Sequence, residues 1–189
     1  MRTEFHLDQV LHTGRPSDSR EAQELACYDI LERLDIPYER VDHDPAMTIE
    51  LCREVEKVLG ARICKNLFLC NRQKTEFYLL LMPGDKAFKT KFLSAQLGCS
   101  RLSFAEENAL WDLMRLRPGS ATVFGLLVES AKEIHLIMDK DLLTEDYFAC
   151  HPCFNTSTVR FCISDLLKRL LPAMGICPVF VELPEVVYE

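Results

Sequence analysis

Two apolar runs, Ile63 to Cys70 and Glu76 to Met82, stand on either side of the polar tetrapeptide Asn71-Arg72-Gln73-Lys74. Each run has the length of a strand, and the polar break between them is turn material, so the pair predicts a β-hairpin. Pro83-Gly84 ends its second strand. This is the clearest β signal in the chain, and the other elements are read around it.

Upstream, Ser17 is placed to cap a helix whose first turns carry Glu21 and Glu24 and whose inner face carries Cys27, Ile30, Leu31 and Leu34. Pro37 to Val41 then reads as a short strand and His43-Asp44-Pro45 as a turn. A second helix runs from a Thr48 cap to Gly60, with Leu51, Val55, Val58 and Leu59 inward. Downstream of the hairpin, helices are expected over Lys89 to Leu97 and Ala105 to Leu113, with a strand at Leu102 to Phe104 between them. Further strands are expected at Ala121 to Val128, Ile134 to Met138, Tyr147 to His151, Thr158 to Ile163 and Val179 to Leu183. Ser164 would cap a last helix that stops near Pro172. Residues 1–16 show no period and end in Gly14-Arg15-Pro16, which suggests an arm or an extra helix. Helices mixed irregularly with hairpin-linked strands predict an α+β fold around a mixed, mostly antiparallel sheet. At 189 residues, positions 17–189 read as one domain.

Composition narrows the function classes. The chain has nine cysteines, and most of them, such as Cys27, Cys64, Cys70 and Cys162, stand in apolar runs where a reduced thiol behaves as a small hydrophobe. No stretch approaches the roughly 20 apolar residues of a membrane span. The N-terminus carries Glu4, His6 and Asp8 where a secretory signal would be apolar. A cytosolic protein without membrane contact is expected. A net charge of −7 excludes indiscriminate coating of nucleic acid, though not an encounter with one RNA end. Lys86, Lys89 and Lys91 form a local basic run, followed by Arg101, and a run of this kind usually marks a solvated face.

Three polar constellations interrupt the apolar segments. Lys65-Asn66 heads the first hairpin strand; a lysine there either snorkels to solvent or presents an ammonium to a ligand oxygen in a pocket. Gly119-Ser120-Ala121-Thr122-Val123-Phe124-Gly125 is a glycine-bounded segment without the spacing of a phosphate-binding loop. His151-Pro152-Cys153-Phe154-Asn155-Thr156-Ser157-Thr158 surrounds a histidine with donors and acceptors at close spacing. Cys150 and Cys153 have the spacing of half a zinc site or a redox pair, but no second ligand pair accompanies them, so neither metal nor cofactor is expected. There is no Gly-x-Ser-x-Gly elbow and no evident Ser-His-Asp set, which argues against a covalent acyl-enzyme.

In this order, Lys65-Asn66-Leu67-Phe68, Arg101-Leu102-Ser103-Phe104, Gly119 to Gly125 and His-Pro-x-x-Asn-Thr-x-Thr from His151 resemble the YbaK/ProX prolyl-tRNA editing family of aminoacyl-tRNA deacylases, in its free-standing ProXp-ala type. His43-Asp44-Pro45 matches the family's early His-x-Pro turn. The resemblance runs from about Pro37 to Leu183 and implies a sheet curled into a barrel-like core with helices around it. It implies hydrolysis of mischarged tRNA, most often Ala-tRNA(Pro), with Cys-tRNA(Pro) hydrolysis or a silent tRNA- or synthetase-binding module as alternatives. The implied partners are the acceptor end of aminoacyl-tRNA(Pro) and a prolyl-tRNA synthetase. On this resemblance Lys65 holds the terminal adenosine, and the Gly119 to Gly125 backbone, Gly125 included, supplies oxyanion donors. His151 contacts the ester end or the attacking water. Asn66, Ser120, Thr122, Phe124, Asn155 and Thr156 contact substrate, and Arg101 and Lys89 contact the tRNA. The tRNA's own ribose hydroxyl would assist, which accounts for the small number of catalytic side chains. Two departures stand out: Val123 where proline is usual, and Val128-Glu129 where Asn-Asp often follow.

Overall fold

A computed structural model describes residues 5–46 and 48–186; the first four residues of the expected N-terminal arm lie outside them. The chain opens with β1 (His12–Thr13), α1 (Ala22–Arg33), β2 (Glu39–Asp42) and α2 (Ile49–Leu59). The hairpin follows as β3 (Cys64–Cys70) and β4 (Phe77–Pro83), then α3 (Thr90–Leu97), β5 (Ser103–Phe104) and α4 (Glu107–Met114). The last third holds β6 (His135–Asp139), β7 (Tyr147–Cys150), β8 (Ser157–Cys162), α5 (Ile163–Asp165), α6 (Leu171–Ala173) and β9 (Val179–Val181).

The strands form two sheets, ordered β1-β2-β8-β7 and β5-β3-β4-β6-β9. The first is antiparallel throughout. In the second, β3 pairs antiparallel with β4 and β5, while β4-β6 and β6-β9 are parallel. Those parallel pairs need long crossovers, and α3, β5 and α4 lie in the first of them. The fold is α+β with a mostly antiparallel arrangement, as the patterning predicts. It is not a closed barrel: each sheet keeps its own edges, and a single parallel bridge between Ile63 and Ala149 joins them.

The main core fills the space between the sheets and helices. Tyr28, Leu31, Leu79, Leu81, Phe124, Phe148, Phe161 and Leu170 are all buried there, each apolar side chain contributing about 1.5–3 kcal/mol. Phe161 stands between Phe124 and Phe148, with ring centroids 6.2 and 5.7 Å away.

α2 matches its local signals closely. The Thr48 hydroxyl oxygen accepts from the Leu51 N–H at 3.3 Å, and Gly60, at φ 65°, donates to the Glu56 carbonyl at 2.8 Å. Val55 and Leu59 pack with Val41, Ile63 and Ala149. This burial leaves the adjacent stripe, Ile49, Cys52, Arg53 and Glu56, for the cavity described below.

Several expectations are corrected. No helix forms over residues 5–16; His12–Thr13 instead pairs with β2 as an edge strand. The α1 cap is Glu21, four residues beyond Ser17. Cys162, not Ser164, precedes the C-terminal helix, which ends at Ala173, next to Pro172 as expected. A π turn over Leu166–Leu170 comes just before that proline, which has no N–H to donate and would crowd a regular preceding turn. Finally, Val123–Leu127 is a 3-10 turn, not part of a strand. Val123, Phe124, Gly125 and Leu126 are all buried, and a continuous apolar run has no period to tell strand from turn.

Candidate active site

The Ile63–Ala149 bridge is parallel, so two residues further along each segment Lys65 and His151 come to the same place. Both line a cavity of about 310 Å³. Its walls are the α2 stripe, the head of β3 from Ile63 to Asn66, Gly84-Asp85, Gly119 and Ala121, and Ala46 with Asn155.

Lys65 is half-buried, and its Nζ donates to the Lys86 carbonyl at 2.8 Å. Burial lowers its pKa, with Asp85 acting in the opposite sense. Lys86 is not on a solvated face. It is 4% exposed, with Nζ 2.8 Å from Asp139 and 2.6 Å from Asp141. This buried ion pair ties the turn that receives Lys65 to the end of β6. Asn66 donates to the Cys64 carbonyl at 3.0 Å, while its buried Oδ1 has no partner among the described residues. An acceptor in that state gains from any N–H or O–H that a ligand brings.

His151 is buried, and Nδ1 lies 3.1 Å from the Ser157 carbonyl oxygen. Burial, reinforced by nearby His43, pushes its pKa down to about 4 despite that bond. The ring is therefore neutral at pH 7, and Nδ1–H donates to the carbonyl, leaving Nε2 as an acceptor. Asn155 brackets Ala46: its Nδ2 donates to the Ala46 carbonyl and its Oδ1 accepts from the Ala46 N–H, both at 3.3 Å. It holds one wall of the cavity in place.

The remaining expected site residues lie elsewhere. Only Gly119 and Ala121 of the glycine-bounded segment face the cavity. Thr122 and Phe124 are fully buried, and the Gly125 N–H is taken by the Thr122 carbonyl at 3.0 Å. A Cβ on Gly125 would stand 2.5 Å from Met114 Cε, so that glycine serves packing, and the expected oxyanion donor there is not available. Ser120 is half-buried beside the lining, and Thr156 is exposed, its carbonyl accepting from the His43 N–H at 3.0 Å. Val123 is buried and Glu129 is solvent-exposed. Lys89 and Arg101 line a separate groove of about 720 Å³ with Phe88, Lys91 and Phe104. Cys150 and Cys153 are buried and do not bond each other; Cys153 Sγ is 3.5 Å from Cys27 Sγ. Among the described residues no group of His, Cys, Asp and Glu is arranged to hold a metal ion.

Sequence reasoning missed the α2 stripe, Cys64 and Gly84-Asp85. The spacing of Ile49, Cys52, Arg53 and Glu56 along one helix face was a usable signal, but a mixed apolar and charged stripe looks like an ordinary helix boundary until something is seen to face it.

This geometry coincides with a sequence match. The profile of the aminoacyl-tRNA editing domain matches residues 43–169, a span that begins at the buried His43 and includes Lys65 and His151. The chain belongs to that family. The prolyl-tRNA editing protein ProX of Acetoanaerobium sticklandii is 33% identical over 145 residues, covering 77% of this chain and 88% of the relative. A prolyl-tRNA synthetase associated domain-containing protein 1 from Danio rerio is 29% identical over 157 residues, covering 82% and 83%. A crystal structure put forward as a trans-editing enzyme for prolyl-tRNA synthetase superposes with a TM-score of 0.64 at 18% identity, over 88% of this chain and all of that one. Among the described residues no helix is long and apolar enough to cross a membrane.

Proposed function

We propose that this editing domain is a trans-acting deacylase that hydrolyses the aminoacyl ester of mischarged tRNA(Pro), with alanine as the preferred amino acid. The observation that carries the reading is the single cavity onto which Lys65, Asn66, Gly119, His151 and Asn155 converge from segments up to ninety residues apart. The Lys65 ammonium holds the terminal nucleotide. The Asn66 Oδ1 accepts from the substrate, and the backbone N–H groups of Gly119 and Ala121, the two residues of that segment lining the cavity, face the ester oxygen as it gains charge. Neutral His151 is a weak base, so it orients the attacking water through Nε2 and leaves proton transfer to the tRNA's ribose hydroxyl. The small and medium side chains of Ala46, Cys52, Ile63, Cys64 and Ala121 give the cavity a size limit, which excludes larger aminoacyl groups by clash.

The groove bearing Lys89, Lys91 and Arg101 holds the acceptor stem by phosphate contacts. A prolyl-tRNA synthetase is the proposed source of the substrate. The test is deacylation of Ala-, Cys- and Pro-tRNA(Pro) by wild type and Lys65→Ala. Loss of alanine alone, abolished by the substitution, is expected. Loss of cysteine alone would transfer the enzyme to the rival specificity. Hydrolysis of none would leave a binding module and overturn the proposal.

A further inference from the structure

His43 is absent from the cavity lining, yet it is 4% exposed and bonded at both ring nitrogens. Its Nδ1 lies 2.8 Å from the Asp44 carbonyl oxygen. A carbonyl can only accept, so Nδ1 carries the proton and Nε2 is bare. That bare nitrogen lies 2.8 Å from Thr158 Oγ1 and takes the hydroxyl's one proton. The lone pairs of Oγ1 are then free for His151 Nδ1, 3.3 Å away. Ser157, adjacent in β8, offers its carbonyl to the same nitrogen at 3.1 Å. The two imidazoles meet edge to face with centroids 6.0 Å apart. The direction of donation is therefore set from end to end: His43 to the Asp44 carbonyl, Thr158 to His43, and His151 to Thr158 and Ser157. Among the described residues nothing bonds His151 Nε2.

We propose that His43 is a positioning residue: acting through the Thr158 hydroxyl, it holds His151 as the Nδ1–H tautomer with Nε2 presented to the cavity as an acceptor. The chemical purpose of that acceptor rests on the deacylase reading above, whereas the tautomer can be observed without any substrate. Without the His43 acceptor, the Thr158 hydroxyl is free to donate to His151 Nδ1 in competition with the Ser157 carbonyl, which favours the opposite tautomer and puts the proton on the nitrogen presented to the cavity. A ring that merely filled space would have no such effect.

The experiment is two-bond proton–nitrogen correlation on protein labelled with ¹⁵N-histidine at neutral pH, with His151 assigned from His151→Gln. Wild type is expected to show a protonated Nδ1 and a bare Nε2 at His151. His43→Leu should move those resonances toward a mixture of tautomers, whereas Thr158→Val, which removes the competing donor and leaves the Ser157 carbonyl as acceptor, should leave them in place and, added to His43→Leu, should restore the Nδ1–H form. In deacylation of Ala-tRNA(Pro) His43→Leu should lower kcat about tenfold at nearly unchanged KM, since orientation and not binding is lost. His43→Gln, which keeps an acceptor for Thr158, should restore both readouts. Should His43→Leu fail to fold, His43→Phe, which keeps a ring but offers Thr158 no acceptor, supplies the same comparison. A wild-type His151 protonated at Nε2, or His151 resonances unmoved in a folded His43→Leu, would overturn the proposal. Tautomer shifts in a protein that deacylates none of the tRNAs would support the relay and sink the deacylase reading alone.

Discussion

At the scale of single residues, the two side chains that meet across the Ile63–Ala149 bridge have opposite energetic characters. Lys65 makes one hydrogen bond to a backbone carbonyl and is only half-buried. Its removal should cost little stability, within about 1 kcal/mol, while lowering kcat/KM for Ala-tRNA(Pro) by about a hundredfold or more. Thermal unfolding measured beside deacylation separates the two effects. His151 is the reverse, a buried ring whose pKa in the folded protein is depressed to about 4. The unfolded chain binds its proton near pH 6.5, so the stabilisation is complete above that pH and is lost as pH falls toward 4. Burial also lowers the pKa of His43, which acts in the same direction. Urea titrations between pH 7 and pH 4 should show a loss on the order of 3 kcal/mol from His151, and His151→Gln should flatten that slope.

At the scale of elements, the site depends on how turns are anchored to strands. The turn after β4 is secured by Lys86, whose ammonium sits between Asp139 at the end of β6 and Asp141 just beyond it. Removing one partner of a buried pair strands the other, so Lys86→Met should destabilise by about 3–5 kcal/mol. The Lys65 carbonyl partner would shift with it, and tRNA binding should weaken even where the variant is folded. Equilibrium unfolding and tRNA titration report the two losses separately. The α2 stripe makes a different prediction. Cys52 lines the cavity one helical turn from Ile49 and Glu56, and Cys52→Phe fills space that the aminoacyl group would occupy. Deacylation should fall at least tenfold, with the melting temperature close to wild type because Cys52 is only partly buried.

At the scale of the whole molecule, a chain of net charge −7 must concentrate its positive charge to bind RNA at all. The groove of Lys89, Lys91 and Arg101 is such a concentration, next to the exposed ring of Phe104. If it holds phosphates, Arg101→Ala should weaken binding to all acceptor stems alike and reduce the slope of log K against log salt by about one. A filter-binding series at several salt concentrations measures that slope, and an unchanged value would remove Arg101 from the interface.

What could be read from the sequence follows the range of the forces involved. The β3–β4 hairpin, the Thr48 cap and the Gly60 stop of α2 are determined within a few residues, by turn chemistry and by apolar patterns that need no distant partner. Lys65, Asn66, Gly119, His151 and Asn155 were legible because their motifs are local too. The conformation of Val123–Leu127 was not, since a continuously apolar segment takes whichever backbone its neighbours leave room for; here Met114 at the end of α4 and Leu116 just after it crowd Gly125. The burial of Lys86 needed Asp139, and the ordering of His151 needed His43, partners more than fifty and one hundred residues away. Local sequence determined which elements form and which polar residues cap them. The tertiary structure decided which of those residues share a cavity, because only the bridge between the two sheets brings the head of β3 beside the end of β7.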